Sequence, residues 1–319
     1  MKFDAIILAA GRGKRMKPFS DVIAKPMLPI LNKPLISIIA EQLLHIGAEK
    51  LIITVSKTTE LEIKNYFEEQ PYKEKITYCL QDPPQGTADA IYKAGLLATS
   101  DVILSMAGDN VFSEKFCLKL VKEFFKTKNV IHCIMTLLEV TKEEMTKLAS
   151  VTLDSSDLIT SIIEKPKLEE VSSTLASLSV YIFNKSVLQY FGSVSLSPRG
   201  EYEAPDAFLA MLATKKIALK GLVTKETYIH ISNPHDLWKY NMNYLLDQQN
   251  NLAEQVQIAK DSVLKKCVVG KNVRIAEECI LQECVILPDI VIPAKTKITK
   301  AVIGKGLNGF ELYNIPEQD

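Results

Sequence analysis

Short apolar runs alternate with amphipathic stretches along the first third of the chain. The run over 5–10 has no polar alternation, which predicts a buried parallel strand, and 51–55, 76–80 and 101–107 resemble it. Between them, 34–47, 60–67 and 87–99 follow a helical pattern. This alternation predicts an α/β fold with a doubly wound, mainly parallel sheet. Ligands of such sheets bind at the carboxyl ends of the strands, so the loops that follow the runs are candidate sites.

The pattern changes twice further along the chain. Segment 130–181 is richer in strand patterns, and helical patterns return at 205–213 and 235–247. Gln and Asn dominate 247–255, which predicts a linker after a first domain at 1–246.

Beyond the linker, apolar residues recur every six positions. The three rows are Val263, Val269, Ile275, Leu281 and Leu287; Cys267, Val273, Cys279, Val285 and Val291; and Val268, Ile280, Ile286, Ile292 and Ile298. Such hexapeptide periodicity is typical of a short left-handed parallel β-helix whose faces repeat every 18 residues. It predicts a second domain at 256–319 with about two coils, the alternative being a small β-sheet with accidental spacing.

Composition excludes several classes of protein. The 319 residues carry 38 basic and 38 acidic side chains, so nucleic acid and anionic membranes are not expected as main partners. No apolar run reaches about 18 residues, and the first 15 residues do not form a secretory signal. The six cysteines form no CxxC pair, which favours free thiols in a reducing compartment and a cytoplasmic location.

The loop that follows the first strand is the strongest candidate for phosphate binding. Gly11 and Gly13 let backbone N–H groups approach an anion, and Arg12, Lys14 and Arg15 add positive charge. Met16 stands where a dinucleotide fingerprint needs its third glycine and where a Walker loop needs the glycine of its Gly-Lys pair, so both are excluded. The alternative is a flexible basic loop. The chain has only four arginines, Arg12, Arg15, Arg199 and Arg274, and two of them lie here.

Two further segments carry candidate chemistry. Gly86 precedes a predicted helix at Thr87, which makes room for a flat ligand beside free N–H groups, and Gln81 supplies an amide suited to a base edge. Asp109 follows a predicted strand, where a carboxylate can hold Mg²⁺. The alternatives are an ordinary capped helix and an ordinary turn residue.

The first segment resembles the signature of sugar-1-phosphate nucleotidylyltransferases. Twelve residues match it: Leu8, Ala9, Ala10, Gly11, Gly13, Arg15, Pro18, Lys25, Pro26, Pro29, Lys33 and Pro34. Lys14 and Ala24 depart from it. The resemblance implies that the loop (Leu8, Ala10, Gly11, Gly13) and Arg15 hold the triphosphate and that Lys25 reaches the α-phosphate. It further implies that Gln81, Gly86 and Thr87 contact the base, and that Asp109 binds Mg²⁺.

The sugar side of this resemblance is less complete. Glu164 and Lys165 match a motif that binds the sugar and its phosphate, and Arg199–Ala207 resembles one that places Glu203 at the sugar pocket. Ala149 stands where the family has glycine, and Ser177 stands where it has asparagine. His230 occupies the place of the second metal-binding aspartate, and imidazole is a poor ligand for Mg²⁺.

The resemblance implies an enzyme that transfers a nucleotidyl group from a nucleoside triphosphate to a sugar 1-phosphate, with release of pyrophosphate. The residue pair Gln81 and Gly86 favours dTTP or UTP. The alternative is a regulatory protein that resembles subunits of translation initiation factor 2B. An acyltransferase in the β-helix is disfavoured because all four histidines precede residue 240. The β-helix is instead expected to mediate assembly into a homo-oligomer.

Overall fold

The computed structural model describes residues 1–11, 13–246 and 249–316. The helices are α1 (Leu35–His45), α2 (Glu60–Glu68), α3 (Thr87–Leu96), α4 (Glu114–Thr127), α5 (Lys142–Met145), α6 (Leu188–Gly192), α7 (Ala204–Ala213) and α8 (Pro234–Tyr244). The strands up to residue 230 are β1 (Phe3–Leu8), β2 (Pro29–Ile30), β3 (Lys33–Pro34), β4 (Ala48–Val55), β5 (Ile76–Leu80), β6 (Val102–Ala107), β7 (Asn110–Val111), β8 (Cys133–Glu139), β9 (Ala149–Leu153), β10 (Ile159–Glu164), β11 (Leu175–Asn184), β12 (Leu219–Thr224) and β13 (Ile229–His230). The remaining strands are β14 (Asn251–Leu252), β15 (Gln257–Ile258), β16 (Val263–Lys265), β17 (Val268–Val269), β18 (Arg274–Ile275), β19 (Ile280–Ile286), β20 (Val291–Ile292), β21 (Lys297–Gly306) and β22 (Gly309–Asn314).

These elements form two compact units. The first comprises Met1–Gly11, Ile39–Gly108 and Phe112–Tyr228, and the second comprises the described residues of Arg12–Ile38, Asp109–Val111 and Ile229–Asp319. The second unit therefore joins the predicted β-helix segment to the loop after Gly11. The predicted division into domains at 1–246 and 256–319 stays a prediction.

A nine-stranded sheet forms the centre of the first unit. Its main order is β10-β9-β11-β6-β1-β4-β5, with β8 on β11 and β12 on β8. Strand β1 is parallel to β4 and β6, and β4 is parallel to β5, whereas β11 runs antiparallel to β6, β8 and β9. The predicted α/β class with a mainly parallel sheet is confirmed. Strand β11 lies between two parallel groups, β6-β1-β4-β5 and β8-β12, and runs antiparallel to its neighbours in both.

The carboxyl ends of four neighbouring strands are level with one another. Leu8 at the end of β1 is in register with Thr54 and Ala107, and Val55 is in register with Leu80. Side chains on both faces of β1, β4 and β6 are buried, which is why their sequences read as continuous apolar runs. The segments that follow these strands, at 9–11, 81–86 and 108, consequently begin at one edge of the sheet.

Several elements of the first unit were absent from the predicted set, among them α4 and β12. Helix α4 is amphipathic and buries one face, made of Phe116, Cys117, Leu120, Val121 and Phe124. Strand β12 pairs in parallel with β8. A smaller difference concerns Pro34, predicted to start the first helix. It lies instead in β3, and α1 begins one residue later.

The β-helix of the second unit has coils of 17 residues, so the predicted period of 18 was wrong. Asn251, Val268, Val285 and Val302 stack in register, as do Gln257, Arg274 and Val291. Its corners have left-handed backbone (positive φ) at Lys266, Asn272, Glu278, Glu283, Asp289, Lys295 and Lys300. These corners are six, six and five residues apart, so one side of each coil is a residue shorter than the hexapeptide rule assumes.

This shorter side explains which predicted interior positions face solvent. Val263 and Ile280, from two different six-residue rows, stack on Lys297 as an exposed outer column. Cys267, Val269 and their partners one coil away are buried in the β-helix core. A row counted strictly in sixes therefore shifts by one position in each coil, and it mixes exposed residues such as Val263, Ile280 and Val291 with buried ones.

The β-helix is also longer than predicted. Strand β14 begins at Asn251 and pairs with β17, so the last part of the segment predicted as linker, 247–255, belongs to the first coil. Asp247 and Gln248 lie outside the described residues. About three coils are present, and β22 pairs antiparallel with β21 at the far edge of the last one. All six cysteines lie in the described part of the chain and are buried free thiols, as predicted.

Candidate active site

The predicted site residues fall into both units. Leu8, Ala10, Gly11, Gln81, Gly86, Thr87, Glu164, Lys165, Ser177 and Glu203 belong to the first unit. Gly13, Arg15, Lys25, Asp109 and His230 belong to the second unit. Arg12 lies outside the described residues.

In the first unit, the backbone after β1 is held by its neighbours on both sides. Ala9 N donates to Thr54 Oγ1 at 3.0 Å, and Gly108 N donates to Leu8 O at 2.9 Å. Gly11 is exposed, and a Cβ added there would have no atom within 4 Å. The loop therefore leaves a rigid strand end and reaches open space at Gly11, which suits approach by an anion.

Gln81 is buried and has a fixed amide orientation. Its Nε2 donates to Gly86 O at 2.9 Å and to an Asp89 carboxylate oxygen at 2.8 Å. Both partners are acceptors, so the nitrogen must face them and Oε1 must face the other way. The acceptor Oε1 is thus the group that Gln81 can offer to an N–H of a ligand.

Gly86 is required by a close approach of backbone from another segment. Tyr202 N donates to Gln85 O at 2.7 Å, and Ala88 N donates to Tyr202 O at 2.9 Å. Gly86 has φ +116° and ψ 175°, and a Cβ there would lie 2.3 Å from Tyr202 O. Thr87 Oγ1 accepts from Ala204 N at 3.0 Å. The predicted base-binding segment and the 202–204 segment are therefore joined, a long-range reason for glycine that the sequence did not reveal.

Arg199 links the two glutamates predicted at the sugar pocket. Its Nε donates to Glu203 Oε1 at 2.7 Å, and Nη2 donates to Glu203 Oε2 and, at 3.1 Å, to Glu164 Oε1. The hydrogen bond to Glu203 is the main reason that the pKa of Arg199 is raised. Lys165 Nζ lies 4.0 Å from Glu164 Oε1. The structure thus brings Glu164, Lys165 and Glu203 together around an arginine that the predicted site set had omitted.

A signal for Arg199 was present in the sequence. It is one of four arginines and opens the motif that contains Glu203.

Ser177 lies beside Tyr181, with 3.3 Å between the two hydroxyl oxygens. Tyr181 is buried, and this burial raises its pKa. Ser177 is therefore placed next to a neutral phenol rather than in the Arg199 cluster.

In the second unit, Gly13 begins a tight turn that packs against Lys25. Gly13 has φ +62°, Met16 N donates to Gly13 O at 2.8 Å, and Ser20 Oγ donates to the same oxygen at 2.9 Å. A Cβ at Gly13 would lie 2.9 Å from Lys25 Cβ. Gly13 is thus needed both for its conformation and for the approach of Lys25, whereas the Arg15 side chain is exposed.

Lys25 and Asp109 form an ion pair in the second unit. Only 12% of the Lys25 side chain and 23% of the Asp109 side chain are exposed, so solvent screens the pair weakly. Asp109 O accepts from Ile231 N at 3.2 Å, which extends the antiparallel pairing of β7 with β13. The predicted catalytic lysine and metal-binding aspartate are consequently in direct contact.

His230 lies opposite Asn110 in the short β7–β13 pair. Its Nδ1 is 2.5 Å from Asn110 Oδ1, so Nδ1 carries the proton and donates. Burial lowers the pKa of His230, and Asp109 opposes this effect in part. Asn110 is a buried residue that the sequence analysis missed, although it directly follows the predicted metal ligand.

The donor set of this region fits a metal ion only with help from a ligand. Within residues 1–11, 13–246 and 249–316, no group of three or more His, Cys, Asp or Glu side chains could hold a metal ion. Asp109 offers one carboxylate, and His230 offers a nitrogen that Mg²⁺ disfavours. Mg²⁺ is commonly held by one or two carboxylates together with phosphate oxygens and water. The residues therefore fit an ion that arrives with a triphosphate.

Among the helices described, none is both long enough and apolar enough to cross a membrane.

Known proteins resemble both parts of the chain. The family model described as nucleotidyl transferase matches residues 4–247, and that of the GlmU-like C-terminal hexapeptide matches 247–315. Bifunctional protein GlmU of Methanococcus maripaludis is 31% identical over 242 residues, covering 76% of this chain and 54% of the relative. UTP–glucose-1-phosphate uridylyltransferase AglF of Haloferax volcanii is 31% identical over 204 residues, covering 64% and 81%. The chain spans about half the length of the GlmU relatives that it matches.

Solved structures show the same fold. A UDP-glucose pyrophosphorylase complexed with UDP-glucose aligns with a TM-score of 0.67 at 22% identity, over 76% of this chain and 98% of that one. A putative glucose-1-phosphate thymidylyltransferase from Bacillus anthracis aligns with a TM-score of 0.65 at 24% identity, over 75% and 94%. Since one family model covers most of the chain and these structures share its fold, the chain belongs to the nucleotidyl transferase family.

Proposed function

We propose that this chain transfers a nucleotidyl group from a nucleoside triphosphate to a sugar 1-phosphate. The observation that carries the proposal is the weakly screened Lys25–Asp109 pair, with Gly13 packed on Lys25. A lysine and a metal-binding carboxylate in contact can act on the same phosphoryl group. The names of relatives and of structural matches, among them a uridylyltransferase, support the same reaction class.

In the proposed reaction, a phosphate oxygen of the sugar 1-phosphate attacks the α-phosphorus in line. The new P–O bond forms as the bond to the β-phosphate bridging oxygen breaks, and that electron pair leaves with pyrophosphate. Lys25 would stabilise the charge that develops on the α-phosphoryl oxygens. Arg15 and the N–H groups of Gly11 and Gly13 would hold the triphosphate. No covalent enzyme intermediate is needed, because positioning and charge stabilisation supply the catalysis.

Members of this family generally use a divalent metal ion, and we propose Mg²⁺ held by Asp109. When bound, the ion would neutralise phosphate charge. His230 would contribute little as a ligand, since Mg²⁺ prefers oxygen donors to an imidazole nitrogen. Lys25, now paired with Asp109, would turn to the triphosphate as that carboxylate takes the ion.

The base is proposed to be uracil or thymine. Gln81 Nε2 is committed to Gly86 O and Asp89, so its Oε1 is the group that faces a ligand. An acceptor matches the ring N–H at position 3 of uracil or thymine, whereas adenine and cytosine have no ring N–H on that edge. Guanine also has a ring N–H on that edge, so the proposal of UTP and dTTP over GTP rests on the sequence resemblance. The backbone at Gly86 and Thr87 would lie beside the base.

The sugar side is proposed to comprise Glu164, Lys165 and Glu203, with Ser177 at its border. Lys165 would bind the phosphate of the sugar 1-phosphate, and the carboxylates would accept hydrogen bonds from sugar hydroxyls. Arg199 holds both carboxylates, which makes their positions interdependent.

Pyrophosphate release across a panel of substrates tests the proposal. UTP, dTTP, CTP, ATP and GTP would each be combined with glucose 1-phosphate and N-acetylglucosamine 1-phosphate in the presence of Mg²⁺. We expect release with UTP or dTTP and at least one sugar phosphate. Absence of pyrophosphate release with every substrate pair would contradict the proposal. If no pyrophosphate is released but a nucleotide raises the melting temperature of the protein, a regulatory protein would be favoured.

Assembly into a homo-oligomer through the β-helix is proposed separately. Exposed apolar side chains on its outer column, Val263 and Ile280, offer a contact surface. Light scattering coupled to size-exclusion chromatography would show a mass above one chain, and Val263→Lys should lower that mass. A monomeric wild-type protein would contradict this proposal.

A further inference from the structure

The β-helix contacts the segment that contains Lys25, and both lie in the second unit. After the short turn at Lys25–Met27, strands β2 and β3 form a hairpin whose two turn residues, Leu31 and Asn32, have φ of 46° and 66°. Leu35 N donates to Leu28 O at 3.1 Å and Leu28 N donates to Lys25 O at 3.2 Å. The hairpin and the Lys25 turn therefore form one hydrogen-bonded piece.

Asn241 of α8 fixes one side of this hairpin. Its side chain is fully buried, Oδ1 accepts from Leu31 N at 2.8 Å, and Nδ2 donates to Pro29 O at 2.9 Å. Nδ2 also donates to Leu237 O at 2.8 Å within the helix. All three bonds fit one amide orientation, so Asn241 is fully satisfied by the hairpin and its own helix.

Asn32 fixes the tip of the hairpin to the first coil of the β-helix. Its Nδ2 lies 2.6 Å from Asn251 Oδ1 and 3.0 Å from Val269 O. Asn251 in turn belongs to β14, which stacks on β17. The left-handed conformation at Asn32 is one that asparagine tolerates better than most residues.

Helix α8 is itself held against the β-helix. Trp238 Nε1 donates to Glu283 O at 2.7 Å, and α8 packs against β19 and β21. The stacked valines Val268, Val285 and Val302 are each fully buried. The β-helix, α8 and the hairpin thus form a continuous support that ends at Lys25.

We infer that Asn32 and Asn241 are positioning residues for Lys25, and that the β-helix acts through them on nucleotidyl transfer. The effect on turnover rests on the proposed function. The effect on the hairpin itself rests only on the hydrogen bonds described above. Loosening the hairpin would let the Lys25 turn shift, and misplacement of about 1 Å at a reacting group can reduce turnover about 100-fold.

The test compares Asn32→Gly with Asn272→Gly. Both asparagines are corner residues with positive φ, at 66° and 59°, so glycine is tolerated at both without strain. The Asn32 side chain bonds the hairpin to the β-helix, whereas the Asn272 side chain donates to Asp289 within the β-helix itself. Asn241→Leu is a second variant that removes the other clamp without introducing a buried charge.

Hydrogen exchange by mass spectrometry gives the readout that is independent of activity. Asn32→Gly and Asn241→Leu should speed exchange in peptides covering 28–35 by about tenfold, while Asn272→Gly leaves them unchanged. In steady-state assays the same two variants should lower kcat by about 10- to 100-fold, with KM for the sugar 1-phosphate within about twofold of the wild-type value.

The outcomes separate this inference from the proposed function. An inactive wild-type enzyme would end the proposed function, and the exchange comparison would still decide whether the clamps hold the hairpin. An active wild-type enzyme in which Asn32→Gly matches Asn272→Gly in kcat would overturn the positioning role and leave the function intact. Faster exchange with unchanged kcat would overturn it as well.

Discussion

Two charged clusters carry the predicted chemistry, and they are built differently. In the second unit one ammonium meets one carboxylate, Lys25 with Asp109. In the first unit a single guanidinium serves two carboxylates, since Arg199 bonds both Glu164 and Glu203. Removing Lys25 leaves one carboxylate that a metal ion can still use. Removing Arg199 leaves two carboxylates that repel each other, so the same kind of deletion should affect chemistry in one cluster and architecture in the other.

The largest effect is expected for Lys25→Ala. Losing a preorganised charge at the α-phosphoryl group should lower kcat by about 10²–10³-fold, with little change in melting temperature. Lys17→Ala is the control, because Lys17 lies in the same segment but is exposed and pairs with Asp21. Steady-state kinetics and a melting curve for both variants decide the matter. Turnover that is equal in the two variants would remove Lys25 from the catalytic set.

The second largest effect is expected for Gly86→Ala, which would disrupt the contact of the predicted base-binding segment with the 202–204 segment. The φ and ψ of Gly86 are almost restricted to glycine, and the new Cβ would strike Tyr202 backbone. We expect a loss of about 1–3 kcal/mol in the free energy of unfolding and a raised KM for the nucleotide. Gly200→Ala is the control: its φ is +75°, but open space surrounds it. Equal losses in a denaturant titration would show that contact with Tyr202 contributes nothing.

Arg199→Ala tests the architectural character of the first-unit cluster. The two glutamates should move apart, raising KM for the sugar 1-phosphate about tenfold while KM for the nucleotide changes little. Arg199→Lys should recover only part of this loss, because an ammonium cannot form the same two-pronged contact. Arg274→Ala, at an exposed position in the β-helix, is the control. A tenfold rise in the nucleotide KM instead would mean that the clusters are assigned to the wrong substrates.

The smallest effect is a pH dependence at Asp206, in the first turn of α7. Burial and the nearby Glu203 raise the pKa of Asp206, while Arg199 opposes the shift. A carboxyl with a raised folded-state pKa stabilises the fold at low pH and loses that contribution as pH rises through this pKa. Asp206→Asn should therefore raise the melting temperature at pH 7 by about 1–2 °C, and the difference should vanish below about pH 4. A difference that persists at pH 3 would exclude titration as its cause.

Much of the fold could be predicted from local pattern, because a buried parallel strand appears as a continuous apolar run and an amphipathic helix as apolar residues at helical spacing. Strand β5 and helix α2 agree with their predicted bounds to within one residue. The coil length could not be predicted in the same way. The missing residue falls on the side between the corners at Glu278 and Glu283, where the apolar run 279–281 fits a six-residue row as well as it fits the observed spacing.

The site shows the same division between local and long-range information. Glycine at position 13 could be read as a phosphate-loop residue, and its left-handed backbone agrees with that reading. The contact of Gly86 with Tyr202, and the bridge from Arg199 to Glu164, join residues far apart in the chain. Only the folded arrangement reveals such pairs, since nothing in either segment identifies the other.

The 17-residue coil determines how this molecule can change in length. Cys267, Cys284 and Ala301 occupy equivalent interior places one coil apart, as do Val269, Ile286 and Ile303. Duplication of residues 268–284 would insert a complete extra coil in register and lengthen the β-helix by about 4.8 Å. An 18-residue insertion would instead rotate exposed positions of the Ile280 type inward from that coil onward. The β-helix can therefore lengthen only by whole coils of 17 residues, and β22 would still cover the last coil.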